Sequence, residues 1–342
     1  KTNQKINWLG PKVDAYTKKT FLGYHRENGS VGTENNWLVI PLVFCQNRNI
    51  ETLKNTILKG LGYENLSKQS YDLHDLIQKY KTGASESELM QVDVITNNNK
   101  KQKNLLFPNV DGIHFLTHDG GCGGSTFDAL TLCQLLAGYI NNPNVAGATV
   151  LSLGCQHAQM SILNDALKRI APSSNKPVFF LEQQQSSSEP EFITLAIKKT
   201  FIGLIKANKI SREPASLSNL IIGLECGGSD GFSGISANPT LGYVSDLVVG
   251  LGGTTILSEF PELNGVEQEL IDRCVDKEKA KKFAHIMKSY NNKATALGAG
   301  FYANPSPGNI KDGLITDAIK SAGAAKKGGT SPVVDVLDYT EQ

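Results

Sequence analysis

From Asp111 onward, short runs of aliphatic and β-branched residues alternate with amphipathic segments of helical period. That alternation predicts a parallel sheet covered by helices on both faces. Residues 113–118 (IHFLTH) predict a strand, and 127–140 (FDALTLCQLLAGYI) a helix that stops at Asn141-Asn142-Pro143. The pair then repeats: strand 148–154, helix 158–170 halting before Pro172, strand 177–183, helix 192–210. Further on, 220–226 and 254–260 predict strands separated by a helix that opens near Pro239. The expected fold class is α/β: doubly wound, mainly parallel sheets with helices on both faces, in Rossmann-like subdomains. Such sheets bind ligands beyond the carboxyl ends of their strands.

The first hundred residues are less regular. Residues 37–45 (WLVIPLVFC) predict a strand, 50–63 a helix and 96–104 (TNNNKKQKN) a solvated loop. At the far end 333–339 (VVDVLDY) predicts a strand with no helix behind it, which reads as truncation at the C-terminus. The expected organisation is a linker over 1–20, an N-terminal α/β subdomain over 21–104 and a catalytic α/β core over 105–342. A length of 342 residues suits about two domains of ~150 residues each.

Composition narrows the function. Hydrophobic residues make up 40% of the chain, and 34 Lys and Arg balance 33 Asp and Glu. There is material for a core and no basic excess to displace counterions from phosphates, so nucleic-acid binding by bulk charge is excluded. No apolar run nears the ~20 residues that cross a bilayer, and residues 1–20 carry no apolar signal core. A cytoplasmic protein without a membrane partner is expected. Six cysteines, with no C-x-x-C pair, suit neither a disulfide framework nor a zinc ribbon.

Four of those cysteines fall at strand ends. Cys45 closes 37–45, Cys122 follows 113–118 by four residues, Cys155 follows 148–154 at once, and Cys226 ends 220–226. Cys133 and Cys274 lie within helical segments and read as packing residues. His118 and Cys122 share the loop Thr117–Gly124, where imidazole and thiolate suit a borderline-soft divalent metal. The plain alternative is a strand-ending histidine satisfied by a neighbouring carbonyl. His157, two residues past Cys155, is a further candidate.

The densest segment runs from Leu224 to Pro239. A buried strand ends in Glu225-Cys226-Gly227-Gly228-Ser229-Asp230, and then Asn238 is expected to cap a helix opened by Pro239. Free N–H groups at such an end suit an anion. Neither a P-loop nor a dinucleotide fingerprint is present, so a carboxylate is favoured over a nucleotide phosphate. Glu259 follows the strand 254–260 and is expected near the same crevice, with Glu262 and Glu267 beginning the next helix. Asn304-Pro305-Ser306-Pro307-Gly308-Asn309 forms a rigid polar loop. Lys326 and Lys327 could neutralise an acid, but exposed lysines are usually just solvated.

Five blocks together resemble the family of altronate and galactarate dehydratases, which also includes sulfolactate sulfo-lyase. They are Gly23–Gly29 with Val31-Gly32 and Asn35, His118–Cys122, Leu153–Cys155, Gly223–Asp230 through Asn238-Pro239, and Asn304–Asn309. Gly252–Thr255 and Val333–Leu337 place the altronate branch nearest. The resemblance implies a hydro-lyase that dehydrates a sugar acid such as D-altronate to a 2-keto-3-deoxy acid, with Fe2+, or Mn2+, stabilising the enediolate. On this reading the metal ligands come from Cys122, Cys155, Cys226 and His118. The catalytic groups come from His118, Glu225, Asp230 and Glu259. Substrate contacts come from Gly227, Gly228, Ser229, Asn238, Asn304, Ser306 and Asn309. Galactarate dehydration, sulfite elimination from sulfolactate and a non-catalytic sugar-acid-binding fragment are the alternatives. A separate small β-rich domain is an implied partner, and a homo-oligomer is compatible with the sequence. Two departures stand out: Ala324 where the family commonly has cysteine, and Gln156 where it commonly has glutamate.

Overall fold

The computed structural model describes residues 7–63, 70–96, 105–225, 230–303, 305–311, 313–314 and 316–338. The chain divides into two units, one formed by Lys1–His25 with Glu213–Gln342 and the other by Arg26–Arg212. It enters the former with strand β1 (Thr20–His25), builds the whole of Arg26–Arg212, and then returns.

The unit Arg26–Arg212 is a parallel α/β layer structure. In chain order it contains β2 (Asn36–Pro41), α1 (Asn47–Leu61), β3 (Gly112–Phe115), α2 (Thr126–Asn141), β4 (Val145–Ser152), α3 (Met160–Ile170), β5 (Val178–Glu182) and α4 (Glu189–Ala207). The strands form one four-stranded sheet in the order β3-β2-β4-β5, every pairing parallel. Alternation along β2 shows why both faces are covered. Trp37 and Val39 join a core with Ile50, Leu53, Phe192 and Leu204 from α1 and α4, whereas Leu38 and Ile40 join Cys133, Leu136, Ile140 and Leu163 from α2 and α3. The sequence expectation of a parallel sheet sandwiched by helices is met. Small residues admit the largest side chain: a Cβ at Gly147 on β4 or Gly203 on α4 would come within 2.5 or 2.2 Å of the Trp37 ring. The predicted helix stop at Asn141-Asn142 is reinforced by Lys176, whose Nζ donates to the carbonyls of Ile140, Asn141 and Asn142.

In the other unit, β1 pairs antiparallel with β6 (Glu213–Ser216), and β7 (Ile221–Leu224) pairs parallel with β8 (Thr254–Leu257). Between β7 and β8 runs α5 (Asn238–Gly250), preceded without a break by a π-helical turn over Ser233–Ala237. Then follow α6 (Glu267–Arg273), α7 (Lys277–Ala296) and α8 (Asp317–Lys327). Leu263, Leu270, Phe283, Met287, Ala324 and Ala325 make the core. Among the described residues 333–338 the predicted strand does not form. Val333 makes an isolated bridge to Cys274, and with only that partner the β-branched pattern has no ladder to join. Part of the predicted loop 96–104 lies outside the described residues. No described helix is long and apolar enough to cross a membrane.

Candidate functional site

The carboxyl edge of the four-stranded sheet carries three exposed thiols, Cys45, Cys122 and Cys155, each on the loop that follows one of three neighbouring strands. Hydrogen bonds lace these loops together. Phe44 N–H donates to Gly120 O at 3.0 Å, and Ala158 N–H to Gly121 O at 3.1 Å. Gly121 is required here: at φ +96° its added Cβ would lie 2.1 Å from Leu42 O. Beneath the loops, Gln46 donates to Gln183 Oε1 at 2.6 Å and Asn49 to Gln46 Oε1 at 2.8 Å. Gln156, the departure beside Cys155, is buried; its Oε1 accepts from Gly154 N–H while its amide donates to Ser152 Oγ.

His118 is engaged through both ring nitrogens. Nε2 lies 2.8 Å from Pro41 O, to which it donates, and Nδ1 accepts from Gly120 N–H at 3.2 Å. In this arrangement it braces the loop and leaves no nitrogen for a metal or a substrate proton, as the plainer of its two sequence readings has it. His157 is exposed. Among the described residues no three His, Cys, Asp or Glu side chains converge to hold a metal ion. Cys226 lies outside the described residues. The described donors therefore do not fit a ready-made Fe2+ or Mn2+ centre.

The thiols differ in reactivity for a physical reason. Burial pushes the Cys133 thiol up to about 11. Burial and then Asp276 push the Cys274 thiol up, against a smaller opposing pull from Arg273. Brief alkylation of the native protein near neutral pH should label Cys45, Cys122 and Cys155 and spare Cys133 and Cys274. Peptide mass mapping showing the two buried thiols modified first would contradict this placement.

The acidic candidates gather in the other unit, at the carboxyl edge of the β7–β8 pair. Ser258 N–H donates to Leu224 O at 3.1 Å and its Oγ donates to the same oxygen at 2.6 Å, so Glu225 and Glu259 each directly follow a residue of this bonded pair. Glu225 is exposed. Glu259 is half-buried at φ 61° and ψ 45°, the one positive-φ residue other than glycine among the described residues. A left-handed glutamate costs about 1–3 kcal/mol and persists only where its surroundings enforce it.

Asp230 corrects the expectation for this segment. Its carboxylate accepts from Ser233 Oγ at 2.8 Å and Ser233 N–H at 2.9 Å, which holds it below the usual carboxylate range. Asp230 thus caps a helical run that already begins at Gly231. Asn238 is buried within that run, and at φ −64° its backbone is already helical, so it is not the residue that starts the helix. Pro239 is accommodated because the π-helical turn before it breaks the ordinary i to i−4 ladder. Gly227, Gly228, Ser229 and Asn304 lie outside the described residues. Asn309 Oδ1 accepts from Ser306 N–H and Oγ, so these two polar residues hold each other at the start of a short helix, Pro307–Lys311.

Two lysines complete the cluster, and Lys327 takes the less favoured of its two sequence readings. Its side chain has 0% exposure; its Nζ lies 3.3 Å from Glu259 Oε2 and 3.7 Å from Glu262 Oε2. Lys320 Nζ lies 3.4 Å from Glu262 Oε1. Glu262 therefore faces inward from a 3-10 turn, Phe260–Leu263, rather than opening the next helix. Glu267 does begin α6 and accepts from Gly265 N–H. The available signal was spacing: Lys320, Gly323, Ala324 and Lys327 stand at i, i+3, i+4 and i+7, one helix face with small residues between the lysines.

Residues 23–208 match the family described as D-galactarate dehydratase/altronate hydrolase, second domain. Residues 217–342 match the D-galactarate/altronate dehydratase C-terminal family. The chain belongs to the altronate/galactarate dehydratase family. Altronate dehydratase of Escherichia coli (strain K12) is 33% identical over 319 residues, 93% of this chain and 54% of that protein. Altronate dehydratase of Bacillus subtilis (strain 168) is 33% identical over 323 residues, 94% of this chain and 55% of that protein. The (2R)-sulfolactate sulfo-lyase subunit beta of Chromohalobacter salexigens is 28% identical over 332 residues, 94% of this chain and 68% of that subunit. The chain thus spans about half the length of the altronate dehydratases it matches. The second-domain match falls on the thiol-bearing unit and the C-terminal match on the acid–lysine cluster.

Proposed function

We propose that this chain carries hydro-lyase chemistry on a sugar acid, converting D-altronate to its 2-keto-3-deoxy acid and water. The observation that supports it best is Glu259, held as a left-handed, ion-paired carboxylate at the carboxyl edge of a parallel strand pair with Glu225 beside it. Elimination from a 2,3-dihydroxy acid needs a base for the C2 proton and an acid for the departing C3 hydroxyl. Glu259 takes the proton, and Glu225, exposed at the end of the adjacent strand, returns one to the C3 oxygen as water leaves. The resulting enol gives up its C2 hydroxyl proton as C3 takes one, which yields the 2-keto acid and restores both carboxyl groups. The substrate carboxylate is assigned to Gly227, Gly228 and Ser229, as the sequence leads one to expect; these residues lie outside the described ones.

The test is an anaerobic assay of the Fe2+-supplemented protein against D-altronate, galactarate and sulfolactate, reading 2-keto-3-deoxy product and sulfite. Keto-acid formation from altronate, with Glu259→Gln slowed about 10²–10⁴-fold but still measurable, is the expected result. A Glu259→Gln protein within about threefold of wild-type kcat would remove Glu259 as base. Absence of product from every acid, with altronate still raising the melting temperature, would replace the enzyme by a sugar-acid-binding domain.

A further inference from the structure

Lys327 is the last residue of α8 and is wholly buried, and an ammonium is tolerated in such a place only when paired. The structure fixes it from three sides. Gly242 on α5 lets the helices approach so closely that an added Cβ would lie 2.0 Å from Lys326 O. Just beyond, Asp246 accepts from Thr330 N–H at 2.8 Å, Thr330 Oγ1 at 2.8 Å and Ser331 N–H at 3.0 Å. Arg273 donates to Gly328 O at 2.9 Å and to Ser331 O at 2.8 Å. The amine is thereby delivered to Glu259, whose backbone is the strained one. Glu262 Oε2 is buried without a hydrogen bond and faces the same amine at 3.7 Å.

We propose that Lys327 is the positioning residue for Glu259: it holds that carboxylate in its left-handed conformation and, with Glu262 and Lys320, sets the charge of the group that receives the substrate proton. This rests on the dehydratase reading. The two lysines and two glutamates sum to zero. When Glu259 takes the C2 proton the group becomes positive by one charge, while the enediolate gains one negative charge. Attraction between them grows only as the reaction proceeds, so it lowers the barrier without tightening ground-state binding.

The experiment is a kinetic cycle of Lys327→Met, Glu259→Gln and the double variant in the full chain, with Lys327→Arg as the conservative replacement. Lys327→Met should lower kcat about 100-fold or more with KM changed less than about threefold, while Lys327→Arg should recover at least about tenfold of that loss. The double variant should be no slower than Glu259→Gln, because Lys327 acts through that residue. Lys327→Met within about threefold of wild-type kcat, or losses that multiply in the double variant, would overturn the proposal. If Lys327→Met does not fold, Lys327→Arg and Glu259→Gln still decide it: an arginine variant as slow as Glu259→Gln refutes a role for the charge. A wild-type chain with no activity on any sugar acid would sink the dehydratase reading instead. The same cycle read by urea unfolding then tests the coupling, and additive stabilities would refute it.

Discussion

Gly242→Ala is expected to lose about 1–3 kcal/mol of stability and about 100-fold in kcat. The added methyl would meet Lys326 O at 2.0 Å and Gly329 N at 3.2 Å, backbone atoms that no rotamer change can move aside. Ordinary contact begins near ~3.5 Å, so α5 and α8 must separate by about 1.5 Å at this point. Lys326 O is the carbonyl directly before Lys327, and the shift is therefore transmitted to the amine that pairs with Glu259. Misplacement on that scale removes about two orders of magnitude from a positioned reaction. Gly60→Ala in α1 is the matched control, since its Cβ meets nothing within 4 Å. That variant should gain about 0.5–1 kcal/mol from helix propensity and keep its activity. Thermal melts and kcat measured on both variants check the pair; a Gly242→Ala protein with wild-type values for both would contradict the close-packed helix contact.

The parallel unit was legible because its elements are separately encoded. Trp37 to Pro41 alternate between two apolar faces, α2 carries a continuous buried stripe, and Asn141-Asn142 halts it. Three of the four strand-end thiols were legible too, since strand ends can be read from where an apolar run stops; Cys226 lies outside the described residues. What failed were features that depend on a distant partner. The pairing of β1 with β6 joins segments at opposite ends of the intervening unit, and nothing local in Thr20–His25 announces it. The cap at Asn238 was misassigned because Asn-Pro is a strong local helix start, whereas the Asp230–Ser233 turn begins the helix earlier and a π-helical turn absorbs the proline. The acid-neutralising role of Lys327 ranked second in the sequence for a related reason: a lysine beside Gly-Gly at a helix end suits solvent, and only the small-residue face opposite Gly234 and Gly242 turns it inward.

Trp37→Ala is expected to destabilise the unit Arg26–Arg212 by about 3–5 kcal/mol, a large part of the ~5–15 kcal/mol that holds a typical domain together. The indole fills a slot whose walls, Gly147 and Gly203, lie too close to shrink around alanine without moving β4 and α4. Its Nε1–H donates to Thr149 Oγ1 at 3.1 Å, but Thr149 and Thr200 hydroxyls also bond each other at 2.9 Å, so truncation orphans no buried acceptor. The loss is therefore almost wholly packing, and it should appear as a lower urea midpoint. A midpoint within about 1 kcal/mol of wild type would mean that the slot collapses freely. Trp37 lies near the amino end of β2 and Cys45 beyond its carboxyl end, with the fully buried run Leu38 to Val43 between them. Below the lowered midpoint, the alkylation pattern of Cys45, Cys122 and Cys155 should consequently match wild type. Stability would then be removed at one end of the sheet while the arrangement of loops at the other is preserved.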